Sequence, residues 1–218
     1  MSDAVDIEAV DKASQYLVDG EGTEILVIFA HGAGANRDSD FMMQMATALG
    51  SHNIRVVRFN FPYMRANALD GKRRPPDRAP KLMLDFNAHI AFLKDTYSPK
   101  KVILMGKSMG GRMAAMVAAD TVVDGVICLG YPFIPLKGGE PRLSPIVECK
   151  APLLVIQGER DKFGGKGVVD AWPEMKAAQL QWLIDGDHSF KPRKASGVTY
   201  DENMAQAVTY CQQFIEAS

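Results

Sequence analysis

A serine set between glycines, Gly106-Lys107-Ser108-Met109-Gly110, joins a short apolar run, Lys101 to Met105, to an Ala/Met-rich stretch, Met109 to Ala119. The run follows the break at Pro99 and reads as a buried strand, and the stretch after the serine reads as a helix. Ser108 therefore sits on a tight strand-to-helix turn. Both glycines are wanted there because the turn brings backbone against backbone, and a larger side chain at either position would block it. Such a turn exposes the serine hydroxyl at the carboxyl edge of the sheet that the strand joins.

Two phosphate-binding readings of nearby glycines carry little weight, one on spacing and the other on a missing glycine. Gly106-Lys107-Ser108 could end a P-loop only if a glycine stood five positions before Gly106, where the strand residue Lys101 stands. In Gly32-Ala33-Gly34-Ala35-Asn36-Arg37, Arg37 replaces the third glycine of a dinucleotide fingerprint.

Short β-rich runs recur at Ile25 to Ala30, Ile54 to Phe59, Val102 to Met105, Val126 to Leu129, Leu153 to Gln157 and Leu180 to Ile184, with a further strand near Ala13 to Val18. Helices are expected at Phe41 to Leu49, Lys81 to Tyr97, Met109 to Ala119, Val168 to Ala178 and Asp201 to Ile215. This alternation predicts an α/β fold with a mostly parallel, doubly covered sheet of about six or seven strands. At 218 residues, 47% of them hydrophobic, residues 1–218 are expected to form a single domain with one core. The Arg/Pro-rich segment from Asn67 to Pro80 is read as a loop within it. Between Tyr131 and Gly139 there is room for a loop but not for a cap domain.

Composition excludes several functions. A net charge of −1 gives no reason to expect nucleic acid as a partner. The acidic start, with Asp3, Asp6, Glu8, Asp11, Asp19, Glu21 and Glu24, argues against a targeting peptide, and no run is long enough to span a membrane. Cys128, Cys149 and Cys211 lack metal-ligand spacing and read as free thiols, so a cytoplasmic location is expected and no metal site.

An exposed serine becomes a nucleophile when a base takes its proton and an acid orients that base. Of the four histidines, His31, His52 and His89 precede Ser108, and His188 alone follows it, after the last expected strand. His188 is the candidate base. The loop after Leu153 to Gln157 offers Asp161 as the acid; Glu159 lies closer to the strand end, and Asp187 is placed to bond its own turn. Two backbone amides must hold the oxygen that becomes negative during attack. Met109 supplies one, and the His31-Gly32-Ala33-Gly34 loop the other, with Ala33 first and Gly34 behind it. His31 itself is expected to hold that loop.

Strand, elbow and helix, with a His-Gly loop upstream and Asp then His downstream, resemble the α/β-hydrolase superfamily over nearly the whole chain. In size the chain is similar to the small, lidless, dienelactone-hydrolase-like branch, from which it departs by carrying Ser108 where those enzymes carry cysteine. His31 to Asn36, Asn60-Phe61-Pro62-Tyr63-Met64 and Gly106 to Arg112 resemble the family of testis-expressed hydrolase-like proteins and the hydrolase-like subunit of the NSL chromatin complex.

The resemblance implies a serine hydrolase that needs no cofactor and cleaves a small carboxylic ester or related acyl bond. The alternative keeps the fold without the chemistry, as a binding or scaffold protein. Gly32, Gly34, Tyr63, Tyr131 and Phe163 are candidate substrate contacts, while Phe61, Tyr63, Tyr131, Phe133 and Phe163 either line the acyl pocket or belong to the core. Arg65, Lys72, Arg73, Arg74, Lys107, Lys137, Lys162 and Lys191 either meet an anionic substrate or face water.

Overall fold

The computed structural model describes residues 15–50 and 53–218; Asp3, Asp6, Glu8 and Asp11 of the acidic start, Ala13 and Ser14 of the expected first strand, and His52 lie outside them. Seven strands form one sheet: β1 (Tyr16–Asp19), β2 (Ile25–Ala30), β3 (Arg55–Phe59), β4 (Lys101–Lys107), β5 (Gly125–Leu129), β6 (Leu153–Gly158) and β7 (Gln179–Leu183). Their order is β1-β3-β2-β4-β5-β6-β7. Only β1 runs antiparallel to its neighbour, pairing Tyr16 with Phe59; the other pairs are parallel, as in Ile28 opposite Leu104.

The helices are α1 (Asp40–Gly50), α2 (Pro62–Asp70), α3 (Ala79–Tyr97), α4 (Met109–Val117), α5 (Ser144–Glu148), α6 (Lys166–Val169) and α7 (Tyr200–Ala217). Successive strand residues point to opposite faces, so each central strand feeds two cores. Leu26, Ile28, Val102 and Leu104 meet Phe86 and Ile90 of α3 and Met113 of α4. Val27, Phe29, Ile103 and Met105 meet Met45 and Leu49 of α1 and Cys211 and Phe214 of α7. A buried strand must therefore be apolar at nearly every position, which is why these runs are continuous rather than alternating.

Three elements depart from expectation. The helix read over Val168 to Ala178 is broken into α6 and a 3-10 turn, Pro173–Ala177, because Pro173 lacks an N–H and forces Trp172 into an extended conformation. Asn67 to Pro80 is a loop only from 71 to 78. Its start belongs to α2, which has Pro62 in its first turn and buries only Tyr63, so no apolar stripe announces it. Five-residue α5 is too short to show a period. α7 opens on a capping box, in which the Thr199 side chain accepts from the Glu202 amide while the Glu202 carboxylate accepts from the Thr199 N–H. No helix among the described residues is long and apolar enough to cross a membrane. Between β5 and β6 there is only α5 and loop.

Candidate active site

The turn between β4 and α4 holds Ser108 at φ 51° and ψ −113°, a backbone conformation that a residue with a side chain adopts only under constraint. The constraint is visible in its neighbours. A Cβ at Gly106 would lie 2.1 Å from the backbone of Gly110 and Gly111, and one at Gly110 would lie 2.4 Å from the Ala30 carbonyl oxygen. The Ser108 N–H donates to the Leu129 carbonyl at 2.9 Å, tying the turn to the end of β5. The hydroxyl is thus presented at the carboxyl edge of the sheet, where loops from three further strands converge.

Two of those loops bring the expected partners together. Ser108 Oγ lies 2.9 Å from His188 Nε2, and His188 Nδ1 lies 2.8 Å from Asp161 Oδ2. A carboxylate can only accept, so Nδ1 carries the proton and Nε2 is left free to take one from the serine. Burial holds the His188 pKa below its ordinary 6.5, and the positive charges of Lys107 and Lys162 lower it further against the pull of Asp161. The imidazole is therefore neutral at physiological pH and able to act as a base.

Asp161 is 3% exposed, and its charge is met by three donors. His188 and the Gln157 amide, the latter at 2.9 Å, donate to Oδ2, and the Phe163 N–H donates to Oδ1 at 2.8 Å. Glu159 instead accepts from the Asp185 N–H, and Asp187 accepts from the N–H groups of Ser189 and Lys191 in its own turn. Arg160 pairs with Asp185, leaving Asp161 to the histidine.

The loop after β2 is held from beneath. His31 donates from Nδ1 to the Gly32 carbonyl at 2.7 Å and accepts at Nε2 from the Phe61 N–H at 3.0 Å. Burial drives its pKa down to about 4, so it stays neutral and structural. The Tyr63 hydroxyl donates to the Gly32 and Ala33 carbonyls at 3.3 and 3.2 Å, fixing the backbone of that loop. Ala33 lines both clefts that flank Ser108, and Met109 lines one of them.

The two clefts share Ser108, Ala33 and Phe163 and measure about 340 and 330 Å³. Gly32 and Gly34 line the second, with Phe41 and Met42. Tyr63 and Tyr131, expected as substrate contacts, are 4% and 0% exposed and line neither cleft. Each supports a loop instead: Tyr63 as above, and Tyr131 through its hydroxyl, which donates to the Arg142 carbonyl at 2.9 Å. Phe61 and Phe133 are fully buried core.

Several expected anion contacts are already partnered. Arg65 pairs with Asp85 and Arg74 with Asp70, each at 2.6 Å, and Arg73 is exposed. Lys107 is turned under the site, donating from Nζ to the His188 carbonyl at 2.5 Å, and burial lowers its pKa to about 8.

Gln157 escaped the sequence reading. Fully buried, it donates to Asp161, Gly164 and Tyr131 and accepts from the Tyr131 N–H at 2.7 Å. Its signal was available, since a lone amide in an apolar strand must find partners. No group of three or more metal-ligating side chains occurs among the described residues.

The sequence profile of the alpha/beta hydrolase domain family matches residues 23–216. The chain belongs to this family. Among curated relatives, this α/β-hydrolase is 30% identical over 118 residues to the carboxymethylenebutenolidase of Pseudomonas putida, a match covering 52% of this chain and 48% of that one. The chain thus spans about half the length of that relative. Among solved structures, it is similar to the dienelactone hydrolase of Anabaena variabilis, with 21% identity, 92% and 91% of the two chains covered and a TM-score of 0.69. It also resembles a lidless α/β serine hydrolase of Xanthomonas campestris, with 19% identity, 93% and 90% covered and a TM-score of 0.69. At these identities the solved structures speak to the fold: a seven-stranded, mostly parallel sheet without a lid.

Proposed function

We propose that this α/β-hydrolase is a serine hydrolase cleaving a small carboxylic ester or related acyl bond. The observation that carries the reading is the unbroken chain Ser108 Oγ, His188 Nε2, His188 Nδ1, Asp161 Oδ2, with contacts of 2.9 and 2.8 Å, mounted on a turn strained at φ 51°. Ser108 Oγ attacks the acyl carbonyl as its proton passes to His188 Nε2, and Asp161 stabilises the imidazolium. The carbonyl oxygen, now negative, accepts hydrogen bonds from the Ala33 and Met109 amides. Collapse of the tetrahedral intermediate breaks the bond to the alcohol, which leaves with the proton from His188. Water, deprotonated by the same histidine, then attacks the acyl-enzyme and releases the acid and free Ser108.

This sequence needs no cofactor. It is supported by family membership and by the similarity to the carboxymethylenebutenolidase of Pseudomonas putida. Open clefts of about 340 and 330 Å³ favour small ester arms over long acyl chains. A scaffold has no physical use for an assembled trio, so the catalytic reading is preferred to the binding one. We place the single-domain chain in the cytoplasm, where Cys128, Cys149 and Cys211 stay reduced. Within the family, His31 to Asn36 and Gly106 to Arg112 support kinship with the testis-expressed hydrolase-like proteins.

Steady-state hydrolysis of p-nitrophenyl acetate, butyrate and octanoate tests the reading. Acetate and butyrate are expected to turn over faster than octanoate, with kcat falling by about 10³-fold or more in His188→Ala. Equal rates in wild type and His188→Ala would contradict it.

A further inference from the structure

The cleft lined by Ser108 and Met109 also contains two arginines that no part of the proposed reaction uses. Arg112 stands four residues after Ser108 in the first turns of α4, so its side chain rises beside the nucleophile. Arg142 reaches the same cleft from the loop before α5, donating to the Pro132 carbonyl at 3.2 Å. Among the described residues neither guanidinium forms an ion pair, and Arg112 Nε is buried without a hydrogen-bond partner.

Each feature of this placement disfavours the isolated protein. A cation near a helix N-terminus opposes the helix dipole, a buried donor without an acceptor loses its hydration, and two guanidinium groups sharing a cleft repel. Burial and the neighbouring Arg112 charge both lower the Arg142 pKa. Among the described residues the one carboxylate on the cleft wall, Asp77, is occupied: Oδ1 accepts from Lys81 at 2.9 Å and Oδ2 from the Tyr63 N–H at 3.1 Å. An oxyanion reverses all three costs, and guanidinium presents the planar fork that carboxylate and phosphate groups match.

We propose that Arg112 and Arg142 form a subsite for an oxyanion group, carboxylate or phosphate, carried on one arm of the ester whose carbonyl lies at Ser108. The second cleft, lined by Phe41 and Met42, takes the uncharged arm. The proposal rests on the serine hydrolase reading and adds the class of substrate: a small ester that is itself an acid.

Two matched pairs test it and cover both arms. One is the mono-p-nitrophenyl ester of glutaric acid against its methyl ester; the other is 4-carboxyphenyl acetate against its methyl ester. In wild type the charged member of at least one pair is expected to show a kcat/KM about tenfold or more above its neutral partner. Arg112→Gln and Arg142→Gln should each collapse that ratio toward one, and Arg112→Lys should keep part of it. A ratio near one in wild type for both pairs, with the neutral esters hydrolysed, would overturn the subsite and leave the hydrolase reading intact.

If no ester is hydrolysed, the hydrolase reading fails and thermal unfolding with added ligand decides the subsite alone. Glutarate or inorganic phosphate should raise the wild-type Tm but not that of Arg142→Gln, and the larger of the two shifts identifies the oxyanion. No shift with either at millimolar concentration would overturn the proposal.

Discussion

Replacing Gln157 with leucine keeps the volume of a fully buried side chain and removes the amide that ties the loop after β5 to the loop after β6. Two groups lose their only partner among the described residues: the Tyr131 N–H, 2.7 Å from Oε1, and the Gly164 carbonyl, 3.0 Å from Nε2. The Tyr131 carbonyl keeps the Phe133 N–H at 3.0 Å, and Asp161 keeps two of its three donors. Each orphaned buried group costs about 1–3 kcal/mol, and the lost bond to a charged carboxylate about 1.5 kcal/mol more. Burying leucine in place of an amide returns about 1–2 kcal/mol.

The net is a loss of about 4 kcal/mol at the middle of these ranges, which for a chain of this size lowers Tm by about 10 °C. With Asp161 less firmly held, kcat/KM for p-nitrophenyl acetate should fall by about tenfold as well. Thermal unfolding followed by circular dichroism, with ester hydrolysis on the same preparation, reads both quantities. A Tm within about 2 °C of wild type would refute the reasoning, because two buried backbone groups cannot go unpaired at so small a cost.

Further outcomes follow from the same geometry. In the proposed mechanism His188 serves as a base only when neutral, and burial with Lys107 and Lys162 holds its pKa down, so kcat/KM should rise with pH to a half-maximum below 6.5 and stay flat through neutrality. Lys107→Met removes one of the charges that depress the imidazole pKa, so the acid limb of the pH–rate profile should move to higher pH; a limb that stays put or moves lower would contradict this. Gly106→Ala sets a methyl 2.1 Å from the α4 backbone and should cost about 3 kcal/mol or more, seen as insoluble or low-Tm protein. Gly167→Ala, whose added methyl meets nothing within 4 Å inside α6, should leave Tm unchanged or raise it slightly.

The sheet and the Ser108 elbow were legible because their signals are local. Short, β-branched apolar runs such as Ile25–Ala30 favour strands buried on both faces, and a serine between glycines at a strand end favours a tight turn. That His188 and Asp161 would come to lie beside Ser108 was legible by chain order and elimination. What stayed hidden depends on tertiary neighbours. α2 has no apolar stripe to read, and the break at Pro173 divides a helix whose flanks look periodic. Tyr131 reads as a pocket aromatic until its ring is seen buried and its hydroxyl bonded to Arg142. Arg112 stands in the sequence only as the last residue of the motif Gly106 to Arg112, because nothing in a sequence says that its Nε is shut away from water and unmatched. Arg65 and Arg74 look like free charges until Asp85 and Asp70 are found beside them.

The central claim is that Ser108 is an activated nucleophile in the folded protein. Labelling with a fluorophosphonate probe, read by intact mass, tests it most directly. Wild type is expected to gain one adduct that maps to Ser108, and Ser108→Ala to gain none. A well-folded wild type that takes up no probe, or a Ser108→Ala variant labelled to the same extent, would contradict the account.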